Sequence, residues 1–464
     1  MKTGNGGAKR ETAVRDPFEK PTDPRKFAFR VLTRVHRKGA YLNLLLRYGM
    51  PSEIMDPRNR ALVSEICYGV ERYRNALDHV ISLLSSRPLE KIHPDLMEFL
   101  RIGLYQIMYT DIPVYAAIHE TVEAAKGVIH RGNLGFLNAL LRSASQQVTN
   151  IELPGEVDLR DHLEITLSFP GWLVEYVLNH LDPQEALELF RAQNRRTGLT
   201  LRCNTSLIDP LGLLRELEEA GGGGKQSCIF ADALEEVELP FEKLIEFIEK
   251  GFCVVQDLSS MAVCRVVDPK PGMHIIDACA APGGKTAYLA QLGGPGSRIT
   301  AVDINASRLQ ALKKTVDRLA LENVKISQGD ALRLRDVAGE ADVVLVDAPC
   351  SGLGTLSRNP DLKWRRTPED LSRMAALQLE LLLGSAPAVK PGGYLVYSVC
   401  TYSQEETDRL VEGFLARRPD FTLEDPTPFL PDEWKDSRRG KGAQLWPHRH
   451  RAEGMYIARL RRQS

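Results

Sequence analysis

No stretch of this 464-residue chain approaches the ~20 consecutive apolar residues that span a bilayer, so no transmembrane helix is expected. The first twenty residues, MKTGNGGAKRETAVRDPFEK, lack the apolar centre of a signal peptide and read as a disordered tail on a cytoplasmic protein. Cysteine is sparse and scattered: the eight residues at 67, 203, 228, 253, 264, 279, 350 and 400 form no CxxC pair. That spacing suggests neither a zinc site nor a disulfide framework, and no metal is expected. Cys67, Cys203, Cys228, Cys253 and Cys264 read as small buried hydrophobes. Net charge is nearly absent too, at −1, with 26% charged and 43% hydrophobic residues. This is the balance of an ordinary soluble chain of roughly two to four domains.

The small net charge conceals an uneven distribution. Residues 21–146 carry 17 Lys and Arg against 12 Asp and Glu, a net of +5, and residues 437–464 carry 8 against 1, a net of +7. Basic flanks around an acidic middle suit a polyanionic partner. Residues 21–146 read as helices throughout, with apolar residues at three-and-four spacing in KFAFRVLTRVHRKGAYLNLLLRYG and LMEFLRIGLYQIMY. Residues 161–256 read as a small α+β module: a helical run GWLVEYVLNHLDPQEALELFRAQ, a strand LTLRCNT, a helix, a glycine loop Gly221–Lys225, and a strand ending at GFCVVQD. Residues 257–464 alternate strand and helix, which predicts an open, mostly parallel α/β sheet covered on both faces.

In that last segment CAAPGGKT, Cys279–Thr286, imitates a phosphate-binding loop. The required spacing is G-x-x-x-x-G-K-[ST], and Cys279 stands where the first glycine must be. Without it the backbone loses the freedom to wrap a phosphate, and Asp277 at the strand end would repel one. A nucleoside lacking phosphates fits better. Asp277, Asp303, Asp330 and Asp347 end successive predicted strands, where doubly wound sheets bind ligands. Asp303, 26 residues after Asp277, is placed to accept from two ribose hydroxyls, and Asp330 to meet an adenine amino group. S-adenosylmethionine, a cationic sulfonium without phosphate, is the cofactor this pattern suggests.

Two thiols refine the reading. Cys350 follows the strand VVLVDAP and Cys400 ends the strand GGYLVYSVC. Cytosine C5 is a poor nucleophile until a thiolate adds to C6, so a thiol facing a methyl donor points to carbon methylation of a pyrimidine. On this chemistry either cysteine could attack.

The motifs CAAPGGKT, DAPCSGLGTLSRNPDLKW, YSVCTYS and QDLSSM resemble those of the RNA cytosine-5 methyltransferase family, and the helical first domain is similar to the NusB RNA-binding fold. The resemblance covers about residues 21–460. It implies an α/β architecture: a Rossmann-like class I methyltransferase domain over residues 257–464, an all-α NusB-like domain over 21–146, and the small α+β module between. It implies methylation of 16S ribosomal RNA at C5 of a cytosine of the 967 type, by a monomer. Methylation of transfer RNA or another ribosomal site, or a non-catalytic RNA-binding assembly factor, are the alternative readings. In the RNA family the later thiol attacks, which implies Cys400, with Cys350 assisting product release. Cys279, Ala280, Ala281, Pro282, Gly283, Gly284, Lys285, Asp303, Asp330 and Asp347 are implied to bind the methyl donor, with Asp347 near the target base. Val399 replaces the usual threonine before the nucleophile, which removes a hydroxyl contact. Glu453, Gly454, Met455 and Tyr456 stand where the family has Asp-Gly-Phe-Phe, a change expected to be structural. Past Cys350, RNPDLKW offers cations and Trp364 for RNA contact or for packing.

Overall fold

The computed structural model describes residues 23–49, 55–147 and 151–464, and the chain divides into two compact units at Leu153 and Pro154. The tail expected over residues 1–20 lies outside the described residues.

Helices of the first unit run Pro24–Lys38, Leu42–Gly49, Pro57–Arg72, Arg74–Leu84, Pro94–Tyr109, Val114–Ala125 and Arg131–Gln147. Local chemistry sets their starts. Asp23 and Asp56 accept from the backbone N–H of Lys26 (2.8 Å) and Asn59 (3.0 Å), and each precedes a proline at the first helical position. The helix Pro94–Tyr109 is buried continuously from Leu96 to Gln106, and its Phe99 stacks on Phe29 with centroids 4.5 Å apart. A polar cluster enters this core. His36 sits between Glu71 (2.5 Å) and Glu98 (2.8 Å), and Arg101 reaches Glu98 at 3.0 Å. Burial alone would lower the His36 pKa, but the two carboxylates outweigh it and raise it to about 9.

The second unit holds thirteen strands among its residues, in two sheets. The small sheet is antiparallel, in the order β2 (Gly223–Gln226), β3 (Ala233–Glu238), β1 (Leu199–Cys203), β4 (Cys253–Val255). Helices Pro210–Glu219 and Phe241–Glu249 bury Leu213, Leu217, Leu244 and Phe247 against it. Of the glycine run expected as a loop, Gly221 and Gly222 form the turn and Gly223–Lys225 belong to strand β2. A Cβ on Gly222, just before the strand, would lie 2.4 Å from the Glu238 carbonyl, so glycine is required at the entry to β2.

The large sheet comprises β5 (His274–Asp277), β6 (Arg298–Asp303), β7 (Val324–Gln328), β8 (Ala341–Asp347), β9 (Val389–Val399), β10 (Phe421–Glu424), β11 (Arg438–Arg439), β12 (Gly442–Leu445) and β13 (Met455–Arg462). Its order is β11-β12-β13-β9-β8-β5-β6-β7, with β10 paired to β13. Strands β5 to β9 are parallel, and β13 continues the sheet antiparallel to β9, with β12 and β11 beyond it. Five parallel strands form the ligand-bearing half, and the antiparallel strands lie on the other side.

The helical run expected as one segment breaks into Gly171–Leu178 and Pro183–Asn194, because Asp182 caps the second helix through the Glu185 N–H at 3.0 Å. Both helices bury their apolar faces on Leu353, Leu356, Leu362, Tyr402 and Trp446 of the catalytic domain. Residues 161–256 therefore divide: the helical part supports the catalytic loops, and the later part builds the small sheet. Four of the five cysteines expected to be buried are so, whereas Cys228 is exposed in the loop between β2 and β3.

Candidate active site

From β5 the chain proceeds outward to β6 and β7, then crosses back to β8 and β9 on the other side of β5. The crevice where that order reverses, at the carboxyl ends of β5 and β8, is where open α/β sheets take ligands. Lys285, second residue of the helix Gly284–Gly293 after β5, spans this crevice and donates to Asp347 Oδ2 at 2.8 Å. Burial alone would lower the Lys285 pKa, but the Asp347 charge and hydrogen bond hold it above the usual lysine range. Its cation answers a carboxylate at the end of β8 rather than an anion in a phosphate loop.

On the β6 side the loop from Cys279 to Gly283 is stitched down by its backbone. The Ala280 N–H donates to the Val302 carbonyl at 2.9 Å, and the Ala281 N–H to Asp303 Oδ2 at 3.2 Å. Asp303 Oδ1 accepts from the Asn305 N–H at 2.9 Å, and Arg308 approaches the same carboxylate at 3.7 Å. The Ala281–Pro282 peptide is cis, and Gly283 has φ +106° with Leu312 Cγ 3.0 Å from where a Cβ would stand. Only glycine fits that turn. Asp330 lies two residues beyond β7 and caps a short turn through the Leu332 N–H at 3.0 Å. Asp277 is hidden: it is 1% exposed, Oδ2 accepts from Thr286 at 2.7 Å, and burial, followed by the Asp347 charge, pushes its pKa up to about 7. It props the helix rather than facing the crevice.

Two apolar residues that the sequence reading missed flank the acids. Ile304 follows Asp303 and is 66% exposed, and Leu332 follows Asp330 by two residues and is 40% exposed. Exposed apolar side chains at the ends of β6 and β7, next to carboxylates, suit the flat face of a nucleobase and the hydroxyls of its ribose. Their signal was present, as large hydrophobes one and two residues after the acids.

On the β9 side, Asp347 and Ser398 are paired in register, and Ser398 Oγ donates to Asp347 Oδ1 at 2.7 Å. Cys350 and Cys400 follow those two residues, and their sulfurs lie 3.0 Å apart. The hydrogen bond shared with Cys400, then burial, drive the Cys350 pKa well above the normal thiol value. Val399, between Ser398 and Cys400, points into the apolar core beside Val346. The hydroxyl work is done by its neighbours, Ser398 on Asp347 and Thr401 on Ser351 at 2.8 Å.

Beyond the thiols, Arg358 stands between Asp257 Oδ2 (3.0 Å) and Glu453 Oε1 (3.1 Å), joining three distant stretches of sequence. Glu453 is pushed up to about 7 by burial, then by Asp257, against the opposing charges of Arg358 and Lys285. Met455 and Tyr456, the other departures, are fully packed in the core. Lys363 is 1% exposed, with its ammonium 4.1 Å from the Phe169 ring centroid and 5.3 Å from that of Trp364. The phosphate contact expected of this stretch is therefore not available to Lys363.

Comparison with known proteins follows this geometry closely. Residues 264–461 match the family described as 16S rRNA methyltransferase RsmB/F, residues 22–146 the NusB family, and residues 169–236 a ferredoxin-like domain of RsmF/B-like methyltransferases. Over 457 residues the chain is 34% identical to a probable ribosomal RNA small subunit methyltransferase B of Bacillus subtilis (strain 168), covering 96% of this chain and 99% of that one. The chain belongs to the RsmB/F family of ribosomal RNA methyltransferases. A Salmonella newport (strain SL254) ribosomal RNA small subunit methyltransferase B shares 33% identity over 448 residues, covering 96% of this chain and 99% of that one. Among solved structures, PH0851 aligns with a TM-score of 0.77 and 26% identity over 97% of this chain and 100% of its own. NSun6 from Pyrococcus horikoshii, crystallised with SFG, aligns at 0.57 and 26% over 64% of this chain and 99% of its own. The chain is thus an enzyme of the expected class, with an RNA substrate and S-adenosylmethionine as methyl donor.

Proposed function

We propose that this enzyme makes 5-methylcytosine in 16S ribosomal RNA, at a cytosine of the 967 type, through a covalent adduct between Cys400 and cytosine C6. The observation that carries this reading is the pair of sulfurs 3.0 Å apart beside the Lys285–Asp347 ion pair. Cys279 to Lys285, Asp303, Asp330 and Asp347 would hold the methyl donor, with Ile304 and Leu332 against its base. When bound, the donor supplies an electrophilic methyl group.

The protein's own residues divide the remaining work. Cys400 adds its sulfur to C6, and C5 becomes an enamine carbon able to take the methyl group. Cationic Lys285 lies within electrostatic reach of Cys400. Cys350, held protonated by its neighbour and by burial, stays a thiol during attack and serves the later release. Asp347 orients the base. Loss of the C5 proton to solvent re-forms the C5–C6 double bond and expels the Cys400 sulfur as a thiolate. None of these steps requires a metal.

A cytosine attacked on its face must be unstacked, so the target is a loop or single strand. The NusB domain supports RNA binding, and the reading places the enzyme in the cytoplasm as a monomer. No helix among the described residues is long and apolar enough to cross a membrane.

A denaturing gel of protein, unmodified 16S transcript and S-adenosylmethionine tests the roles. Cys350→Ser should trap a protein–RNA band, and Cys400→Ser should give none and no methylation. The reverse pattern would exchange the two roles. Methylation that survives loss of both thiols would overturn the covalent mechanism, and mapping the methylated base checks the position.

A further inference from the structure

Glu406 plays no part in the mechanism above, yet it is fully buried within seven residues of Cys400. A carboxylate taken out of water is costly unless it is well hydrogen-bonded, and this one is. Its Oε2 accepts from the Ser351 backbone N–H and from Gln378 Nε2, each at 2.8 Å, and its Oε1 accepts from Ser403 Oγ at 2.8 Å. Gln378 Nε2 also donates to the Pro349 carbonyl at 2.8 Å, and the Tyr397 hydroxyl donates to the Glu406 carbonyl at 2.8 Å. The bonds thus reach both residues flanking Cys350, the loop after Cys400, and the strand before it.

Two further bonds complete the clasp. Gly354 N–H donates to the Cys400 carbonyl at 3.0 Å, and Ser351 Oγ meets Thr401 Oγ1 at 2.8 Å. No bond from Glu406 reaches a sulfur. The geometry points to Glu406 as a positioning residue that fixes the distance between the Cys350 and Cys400 thiols, and so the hand-over from cytosine attack to product release. This rests on the two-thiol reading of the site. Removing the carboxylate leaves the Ser351 N–H and Gln378 without their acceptor, and the Cys350 loop loses its register to Cys400. Glutamine at 406 can keep all three contacts, with its oxygen toward Ser351 and Gln378 and its amide toward Ser403, whose hydroxyl then accepts.

The test compares the full-length wild type, Glu406→Ala, Glu406→Gln and Gln378→Ala in two assays. The first needs no RNA: diamide takes two electrons and two protons from neighbouring thiols, and mass mapping follows the rate of Cys350–Cys400 disulfide formation. Wild type and Glu406→Gln should cross-link alike. Glu406→Ala should be slower by about tenfold or more, because misplacement near 1 Å costs rates of that order or greater. The second assay measures the covalent RNA band and the methylated product. Glu406→Ala should accumulate the band while product falls, with Glu406→Gln restoring release. Gln378→Ala, which keeps the carboxylate but frees Pro349, should lie between them and covers a failure of Glu406→Ala to fold. Unchanged cross-linking in both Ala variants would overturn the proposal. Slowed cross-linking with no methylation by wild type and no covalent band in Cys350→Ser would uphold the positioning role and sink the catalytic reading instead.

Discussion

Lys285 Nζ lies 2.8 Å from Asp347 Oδ2, joining the helix after β5 to the end of β8 across the ligand crevice. Both side chains are more than two-thirds buried, so each charge depends on the other. Lys285→Met should lower kcat by roughly 100- to 1,000-fold, the scale of losing one preorganised electrostatic contact. It should also destabilise the fold by leaving Asp347 uncompensated. Lys285→Met combined with Asp347→Asn should recover stability without recovering activity, since it removes the stranded charge. Thermal melts and single-turnover methylation check the two halves separately, and an inactive double variant no more stable than Lys285→Met would contradict the pairing.

Asp277 gives a pH dependence of known sign. Its folded pKa of about 7 lies above the ordinary 3.8, so its favourable contribution is complete below about 4 and is lost as pH rises through 7. Asn at this position can still accept from Thr286 but cannot ionise. Melting temperatures of wild type should therefore fall between pH 5 and 8 by a few degrees more than those of Asp277→Asn. Parallel curves would remove the buried-acid argument.

His36 acts in the same direction in the first unit. Raised to about 9 by Glu71 and Glu98, it favours the folded state fully below about 6.5, and that contribution fades as pH climbs toward 9. The amount at stake is on the order of 3 kcal/mol. His36→Gln should be less stable than wild type at pH 6, with the gap closing by pH 9.5, in denaturant melts that follow helical signal.

Much of this was legible before any coordinates. Motif spacing placed Asp303, Asp347, Cys350 and Cys400 at strand ends and Lys285 in the turn after the first strand, because a parallel sheet gathers its ligand residues there. What stayed hidden depends on contacts between distant segments. Nothing local in SQEETD distinguishes Glu406 from its surface neighbours, and nothing in RNPDLKW foretells that Arg358 serves Asp257 and Glu453. Glycine composition read as a loop where Gly223–Lys225 pair as a strand with β3. The ion pairs of the basic C-terminal segment were hidden as well. Arg459 is 4% exposed and bound to Glu424 at 2.5 Å, Arg438 pairs with Asp425 at 2.9 Å, and Arg462 faces Asp420 at 3.5 Å. Arg459 is thereby committed to the sheet, while Arg438 keeps a side chain 65% exposed beside its partner.

RNA binding should draw salt dependence from the first unit, whose residues 21–146 carry a net +5, and none from the buried Arg459. Affinity for a 16S fragment should fall linearly on a log–log plot against salt, by about 0.7 to 0.9 per phosphate neutralised. Arg459→Gln should lower the melting temperature and leave that slope unchanged. A reduced slope with unchanged stability would return the C-terminal arginines to the RNA.

Gly354 and Gly454 meet backbone to backbone, and this contact sets how the loop after Cys350 docks beside β13. The Gly454 N–H donates to the Gly354 carbonyl at 2.9 Å, and a Cβ on Gly354 would come within 2.1 Å of the Gly454 oxygen. The clash is with main chain, which cannot swing aside as a side chain would. Gly354→Ala must therefore push the two loops apart, breaking that bond and disturbing the Gly354 N–H on the Cys400 carbonyl at 3.0 Å. The expected cost is about 3 kcal/mol or more, in the range of severe single substitutions. Because the displacement reaches the Cys400 backbone, methylation by the folded fraction should fall further than that loss of stability explains. Gly352→Ala makes a useful contrast: its strain comes from φ +78° and a side-chain contact with Leu362 at 2.9 Å, which can yield. If Gly354→Ala melts and methylates no worse than Gly352→Ala, the two loops are not held by their backbones in the way this packing requires.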